Sequence, residues 1–143
     1  MKYFTIAELT KTKYKNIDNT PNAKQRACLV RLVNNVLDPL REAYGRPIIV
    51  TSGFRCPKLN AAVGGVTSSQ HMLGQAADIR SKEDTPEENK KLFDLILKLK
   101  LPFDQVINEF GYNWVHVSYG PRHRRKAMDA VKVNGKTVYR LHK

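Results

Sequence analysis

Two segments with strict strand alternation constrain the fold of this chain more than any other feature. An extended backbone sends successive side chains to opposite faces. In the first segment one face carries Ala76, Asp78 and Arg80, and the other carries Ala77 and Ile79. In the second segment one face carries Trp114, His116 and Ser118, and the other carries Val115, Val117 and Tyr119. If the two strands are neighbours in a sheet, Asp78 and His116 point the same way, side by side.

A third polar residue, His71, lies seven positions before Asp78, where the chain can fold back over the strand. Gly74 would relieve crowding at that turn. Two imidazoles and one carboxylate are the ligand set of a catalytic zinc with an open fourth position, and such ligands converge to about 2.0–2.2 Å of one point. The sequence therefore predicts a metal centre of His71, Asp78 and His116. Taken singly, His116 could instead be a hydrogen-bonded core residue and Asp78 a surface charge.

The length and composition limit the classes of protein to which this chain can belong. A chain of 143 residues suits one domain, and 41% hydrophobic with 27% charged residues is typical of a soluble globular protein. No window of about 18 apolar residues predicts a membrane span. Residues 1–8 lack an apolar stretch with a cleavage site, so we expect no signal peptide and synthesis in the cytoplasm. Cys28 in a helix and Cys56 in a loop are expected to be reduced.

Three helices are expected. Thr5–Glu8 is a capping box that opens a short helix. The longest helix is predicted to start at Thr20–Pro21, and Pro39 should kink or end it unless the bend is absorbed. Its apolar positions at helical spacing are Ala27, Val30, Val33, Leu37 and Leu40. Thr85–Glu88 is a second capping box, and the buried face of its helix is predicted to be Leu92, Phe93, Leu95, Ile96 and Leu99.

The strand pattern predicts an α+β fold. The predicted strands are 48–51, 75–79, 103–110 and 114–119, followed by a hairpin over 131–141 that turns at Asn134–Gly135. Segment 52–70, rich in Gly, Ser, Pro and Asn, is predicted to be a long functional loop. We expect a single domain over 1–143 with a mainly antiparallel sheet and helices packed on one face. Its core would span about 4–125, followed by a basic segment and hairpin over 122–143.

A net charge of +12 indicates a polyanionic target, either nucleic acid or the anionic bacterial cell wall, or else solubility alone. The densest basic run, Arg122–Lys126, has no interleaved aromatic residues, so nucleic acid is the weaker interpretation. A DNA-binding function would rest on charge alone and would predict affinity that falls steeply with salt.

Four motifs together resemble the zinc D-Ala-D-Ala carboxypeptidase family. They are Ser52–Asn60 (SGFRCPKLN), Val63–Gly65 (VGG), Ser69–Asp78 with the pattern SxHxxGxAxD, and Trp114–Ser118 (WVHVS). The likeness runs from about Phe4 to Arg125. The family includes cell-wall peptidases of bacteria and phages and shares its fold with the hedgehog signalling domain.

The resemblance implies that His71, Asp78 and His116 hold zinc and that the chain cleaves peptide bonds in peptidoglycan stems, often next to D-alanine. It also implies that Arg55 contacts the substrate carboxylate or the developing oxyanion, and that Ser69 hydrogen-bonds the substrate. A guanidinium on a glycine-flanked loop suits bidentate recognition of a carboxylate. Without the family, Arg55 could equally be a solvated surface residue.

Peptide hydrolysis also needs a general base. Many members of that family carry Asp or Glu three residues before the last histidine ligand, where this chain has Asn113. Glu109 is the best substitute, because a two-residue turn at Gly111–Tyr112 would pair Glu109 with Trp114, and cross-strand partners share a face. Glu109 would then lie on the side of His116, whereas a three-residue loop would turn it away. The hedgehog domain similarly carries a glutamate a few residues before its last histidine ligand.

Other candidates are secondary. Trp114 could line a substrate groove or be buried in the core, and Tyr119 is expected in the core. His123 is expected at the surface, and His142 in a tail that frays.

The expected function is a zinc metallopeptidase of peptidoglycan, either a carboxypeptidase or an endolysin-type endopeptidase, that degrades the cell wall after phage-type release. The alternative is a catalytically silent zinc domain of the same fold that uses the metal for stability or partner binding. The sequence does not determine the oligomeric state.

Overall fold

The computed structural model describes all residues from Met1 to Lys143, and its centre is a six-stranded sheet. The strands lie in the order β1-β2-β4-β3-β5-β6, and every neighbouring pair is antiparallel except β3 and β5. The strands are β1 Ile48–Ser52, β2 Ala76–Ser81, β3 Gln105–Glu109, β4 Trp114–Ser118, β5 Lys126–Val133 and β6 Lys136–Leu141. The predicted α+β class with a mainly antiparallel sheet is confirmed.

Five helices surround this sheet. They are α1 Ile6–Thr10, α2 Ala23–Leu32, α3 Asp38–Tyr44, α4 Pro57–Ala62 and α5 Pro86–Lys98. All except α4 place residues in the core on one face of the sheet. A single cluster of 21 buried apolar residues joins α2, α3 and α5 to the sheet, with Leu29, Leu40 and Phe93 packed in the same core as Ile79 and Val115. The opposite face of the central strands therefore carries the polar residues. None of the helices is long and apolar enough to cross a membrane.

The long N-terminal helix begins later than predicted. Asn22, rather than Thr20–Pro21, caps it: the Asn22 side chain accepts from the N–H of Gln25, and the Gln25 side chain returns to the N–H of Asn22. This reciprocal pair satisfies two N–H groups at the helix start, whereas a proline at the first position satisfies none. The predicted capping box of α1 is confirmed, with Thr5 and Glu8 bonded to each other's backbone.

A π-helical turn over Val33–Leu37 connects α2 to α3 and accommodates Pro39. The N–H of Asp38 bonds to the carbonyl of Val33, five residues earlier, so this turn is wider than an α-helical one. A proline has no N–H to donate and crowds the carbonyl four residues before it. The extra residue absorbs this misfit, and the helix continues to the left-handed cap at Gly45.

The segment predicted as one long loop contains α4. Pro57 occupies the first helical position, and the thiol of Cys56 accepts from the N–H of Leu59. Cys56 is therefore a helix cap rather than a loop residue, and both it and Cys28 are free thiols.

Helix α5 buries a narrower face than predicted. Leu92, Phe93 and Ile96 are fully buried, but Leu95 is half-buried and Leu99 is 40% exposed. Leu99 ends the helix as its C-cap, beyond the stripe that faces the sheet. Only half of the predicted capping box forms: Thr85 accepts from the N–H of Glu88, whereas the Glu88 carboxylate binds Tyr44, Arg46 and Lys91.

The C-terminal hairpin is an integral part of the sheet. Asn134 and Gly135 both have positive φ, as the predicted two-residue turn requires. Strand β5 starts at Lys126, earlier than predicted, and runs parallel to β3. The prediction that His142 frays is wrong: its backbone N–H donates to the carbonyl of Ala127, its Nδ1 donates to the Asp129 carboxylate at 2.9 Å, and its ring packs on Phe93.

Candidate metal centre

Three side chains on the polar face of the sheet converge on one point. Asp78 Oδ1 lies 3.1 Å from Nδ1 of His116 and 3.4 Å from Nε2 of His71, and one donor atom of each residue lies within 4.8 Å of the other two. Two atoms bound tetrahedrally to one zinc at about 2.0–2.2 Å lie about 3.3–3.6 Å apart. The donor set and its spacing therefore fit a single zinc ion.

The sheet register brings two of these ligands together. Asp78 on β2 is the direct cross-strand partner of His116 on β4. Their neighbours Ala77, Ile79 and Val115 point into the apolar core. The predicted adjacency of Asp78 and His116 is confirmed, and it follows from alternation alone once the strands pair.

His71 reaches the sheet from a 3₁₀ turn, Gln70–Leu73. The Ser69 hydroxyl accepts from the N–H of His71 at the start of this turn, and Gly74 ends it with φ of 74°. A Cβ on Gly74 would lie 2.4 Å from the carbonyl oxygen of Gln25, so the crowding predicted at this turn is present and comes from α2.

A backbone carbonyl fixes the ring of His71. Nδ1 lies 2.7 Å from the carbonyl oxygen of Gly53, and since a carbonyl only accepts, Nδ1 carries the proton and Nε2 has a free lone pair. A Cβ on Gly53 would lie 2.2 Å from the Leu9 oxygen, so only glycine fits here. Sequence reasoning missed both contacts of Gly53, with His71 and with Leu9, because each depends on the approach of a distant segment to the end of β1. No local pattern reveals such an approach.

The electrostatics of Asp78 favour its charged form. Burial by itself raises the pKa of this carboxyl group, which is 8% exposed, but the imidazoles of His71 and His116 outweigh it and lower the pKa below its usual range. The lowered pKa favours the anionic form of Asp78, which is the form that binds a metal.

Arg55 belongs to the same cluster, and its side chain is only 14% exposed, so it is not a solvated surface residue. Its Nη2 donates to Asp78 Oδ2 at 3.2 Å, its Nε to the Ser52 hydroxyl at 2.9 Å, and its Nη1 to Asn60 at 3.3 Å. A guanidinium has five N–H donors, so two remain for a ligand. The contact with Asn60 on α4 was not predicted, because α4 itself was not.

Glu109 lies at the end of β3, on the face that carries His116. It pairs with Trp114 across the β3–β4 hairpin as predicted, and it is 8% exposed. Burial raises the pKa of its carboxyl group to about 7, and the nearby charges of His116, Asp78 and Arg55 modify this shift. A carboxyl group with this pKa exchanges a proton readily near neutral pH.

The turn that follows Glu109 is longer than predicted. Four residues, 110–113, connect β3 to β4, and Phe110, Gly111 and Tyr112 all have positive φ. The Asn108 side chain accepts from the N–H of Tyr112 at 2.6 Å. The predicted two-residue turn is wrong. The loop gains one residue from each strand, Phe110 and Asn113, so Glu109 still pairs with Trp114 as expected.

A buried asparagine of α5 clamps this turn from the core side. Asn89, 1% exposed, donates to the carbonyls of Tyr112 and Asn113 and accepts from the N–H of Ser81 at 2.8 Å. We expect Asn89→Ala to lower the free energy of unfolding by about 2–3 kcal/mol, because it leaves buried backbone groups unpaired. Urea unfolding checks this against Asn35→Ala, whose half-buried side chain bonds only to the carbonyl of Arg31, one turn earlier. Equal losses in the two variants would contradict the clamp.

The raised pKa of Glu109 has a consequence for the metal-free protein. A carboxyl group with a higher pKa in the folded than in the unfolded state stabilises the fold below its unfolded pKa, and this contribution disappears as pH rises through the folded pKa. Between pH 4.5 and 7.5 we expect the metal-free protein to lose up to about 3 kcal/mol from this group. Glu109→Gln should flatten this part of the profile, as measured by urea unfolding in a chelator. An unchanged slope would show that the folded carboxyl titrates normally.

A cleft of about 750 Å³ surrounds the cluster. Ser69, Arg55, Glu109 and Trp114 line it together with the three candidate ligands. Trp114 is half-buried and edge-on to Phe110, so it belongs to the groove rather than to the core. A second depression of about 560 Å³ adjoins the cleft at Arg55 and contains Lys11 and Lys13.

Three other candidates lie outside the cleft. Asn113 is exposed on the β3–β4 turn, so an acid at this position would not face the cluster in this structure. Tyr119 is only half-buried at the edge of the core, where its ring packs on His123. His123 is exposed, as predicted.

Comparison with known proteins identifies a family whose sequence model matches most of this chain. A sequence model of the family described as Peptidase M15 matches residues 2–118. A zinc D-Ala-D-Ala carboxypeptidase of Streptomyces albus G is 48% identical over 44 residues. That alignment covers 30% of this chain and 17% of the relative, so the chain matches only a small part of that protein's length.

Proposed function

Because the chain belongs to the peptidase M15 family, we propose that its cleft hydrolyses peptide bonds in peptidoglycan stem peptides at a zinc ion held by His71, Asp78 and His116. The observation that carries this proposal is the convergence of these three donors in one cleft with Arg55 and with Glu109, whose pKa is raised to about 7. The similar zinc D-Ala-D-Ala carboxypeptidase of Streptomyces albus G also supports the zinc assignment.

The role of the metal follows from its chemistry. When bound, zinc supplies a Lewis acid that polarises a carbonyl group and makes a water molecule easier to deprotonate. The two imidazoles and the Asp78 carboxylate fit this ion in number, type and spacing. The Gly53 carbonyl keeps the Nε2 lone pair of His71 directed at the cluster.

Glu109 is the general base and acid in this proposal. Its carboxylate takes a proton from the attacking water and then delivers it to the amine that leaves the scissile bond. The pKa of about 7 suits both steps, since the deprotonated and protonated forms are both accessible near neutral pH. Asn113, at the position where many relatives have an acid, cannot carry a proton in this way.

Arg55 and Ser69 bind the substrate. The two guanidinium N–H groups that remain on Arg55 suit the substrate carboxylate or the oxyanion that develops during attack. The Ser69 oxygen accepts from the N–H of His71, so its own O–H is free to donate to the peptide. Trp114 adds an apolar side chain to the lining of the same cleft.

The place of action in this proposal is the bacterial cell wall, where the chain would work as a wall-degrading, endolysin-type enzyme. A net charge of +12 supports it, because the wall is anionic and a basic protein accumulates there. Cleavage of a terminal bond would make the chain a carboxypeptidase, and cleavage of an internal bond would make it an endopeptidase.

Metal analysis followed by digestion tests the proposal. The purified protein should contain about one zinc per chain and should release peptide fragments from purified peptidoglycan, identified by mass spectrometry. Free D-alanine would indicate carboxypeptidase action, and larger fragments would indicate an endopeptidase. Bound zinc without any hydrolysis would support a catalytically silent domain instead.

A further inference from the structure

The β5–β6 hairpin forms one wall of the cleft although it lies outside the residues that the family model matches. The match ends at residue 118, whereas the hairpin spans 126–141. Four hairpin side chains nevertheless line the same cleft as the candidate ligands: Met128, Lys132, Thr137 and Tyr139. The hairpin therefore adds contacts that the matched part of the chain does not supply.

The register of the sheet explains why these side chains face the cluster. Glu109 pairs with Ala130 across the parallel β3–β5 contact, and Ala130 pairs with Tyr139. Trp114, Glu109, Ala130 and Tyr139 thus form one row across four strands, on the face of His116. Because alanine is small, it leaves room above it for the ring of Tyr139.

Tyr139 lines the same cleft as Glu109 and Asp78. The residue is 52% exposed, so part of its ring remains open to a ligand in the cleft.

Lys132 holds a positive charge at the same end of the cleft. Its ammonium lies 5.2 Å from the centre of the Phe110 ring and donates to the Thr137 hydroxyl at 3.0 Å. Phe110 in turn packs edge-on to Trp114, with ring centres 5.7 Å apart. A hydroxyl and an aromatic face orient this ammonium without neutralising it.

The charges that line the cleft are unequal. Its only carboxylates are Asp78 and Glu109, whereas it has four cationic side chains, Arg55, Arg122, Arg124 and Lys132. Arg55 is paired with Asp78 and Arg124 with Asp104. Arg122 and Lys132 therefore outnumber the one remaining carboxyl group, Glu109, and the cleft has an excess of positive charge.

We propose that Lys132 and Tyr139 form a substrate subsite that binds the carboxylate of an acidic residue in the peptide, next to the scissile bond. This inference rests on the proposed peptidase function. The Lys132 ammonium pairs with the carboxylate, and the Tyr139 hydroxyl donates a hydrogen bond to it. The hairpin would then select acidic over neutral peptides.

Calorimetric binding of two synthetic stem peptides tests the subsite. The peptides are identical except that the glutamyl carboxyl group is free in one and amidated in the other. Zinc-loaded Glu109→Gln protein serves as the reference because it should bind without turnover. We expect it to bind the free acid about tenfold more tightly than the amide. Adding Lys132→Gln should remove this preference, and adding Tyr139→Phe should reduce it about threefold.

Lys136→Gln is the matched control. It removes the same charge from the same hairpin, but Lys136 lies one residue from Thr137 and therefore on the opposite face. Equal affinity of the reference protein for both peptides, no measurable binding of either, or equal effects of Lys132→Gln and Lys136→Gln would overturn the subsite. Hydrolysis of the free acid by the wild-type protein is measured separately, and its failure would count against the proposed function instead.

Discussion

Glu109→Gln should lower kcat for peptidoglycan hydrolysis about 10³-fold and leave KM nearly unchanged. The amide has almost the shape of the carboxyl group but cannot take up and release a proton, and general acid–base catalysis contributes about 10²–10⁴-fold. Steady-state kinetics on a defined stem peptide measures the effect. Zinc content should stay the same, because the donor atoms belong to other residues.

Asn113→Asp is the control for this assignment. The new acid would stand on the exposed turn outside the cleft, so it should not rescue Glu109→Gln. Full activity in Glu109→Gln would remove Glu109 as the base. Activity that is missing in the wild type and gained in Asn113→Asp would show that the turn moves and that the native chain is silent.

The second large effect is expected for Asp78→Asn, which should weaken zinc binding about a hundredfold and abolish hydrolysis. Structural zinc sites bind with about 10–16 kcal/mol, or about 3 kcal/mol for each of four ligands. The substitution keeps the side-chain volume and removes the charge that His71, His116 and Arg55 surround. Competition with a chromogenic chelator gives the affinity.

Asp94→Asn provides the matched control, because this exposed carboxylate of α5 pairs only with Lys90 one turn away. It should bind zinc as tightly as the wild type does. Thermal unfolding in chelator shows whether Asp78→Asn is folded. A folded Asp78→Asn protein with undiminished zinc affinity would exclude Asp78 as a ligand.

The parts of this structure that depend on alternation could be predicted from the sequence. Once β2 and β4 are assigned, a period of two places Asp78 and His116 on one face, and the structure pairs them directly. The Asn134–Gly135 turn was equally predictable, because two successive residues with positive φ strongly favour that dipeptide. The family resemblance drawn from the motifs is confirmed by the match over residues 2–118.

The parts that depend on tertiary contacts could not be predicted. The start of α2 was misplaced because Pro21 resembles a first helical residue, while Asn22 makes the actual cap. Helix α4 was missed because its six residues are too few to display a helical period. The Gly53 carbonyl and Asn89 act on residues far away in sequence, and the parallel placement of β5 beside β3 is likewise a non-local choice.

The direct pairing of β2 with β4 has a consequence for how the protein acquires its ion. Main-chain hydrogen bonds of the ladder, rather than the cation, hold Asp78 and His116 opposite each other. The entropy cost of ordering these donors is therefore met when the chain folds, before the metal binds. In small zinc modules, by contrast, metal uptake and chain ordering are one event. Metal exchange and folding are therefore expected to be separate steps, with the metal bound by a chain that has already folded.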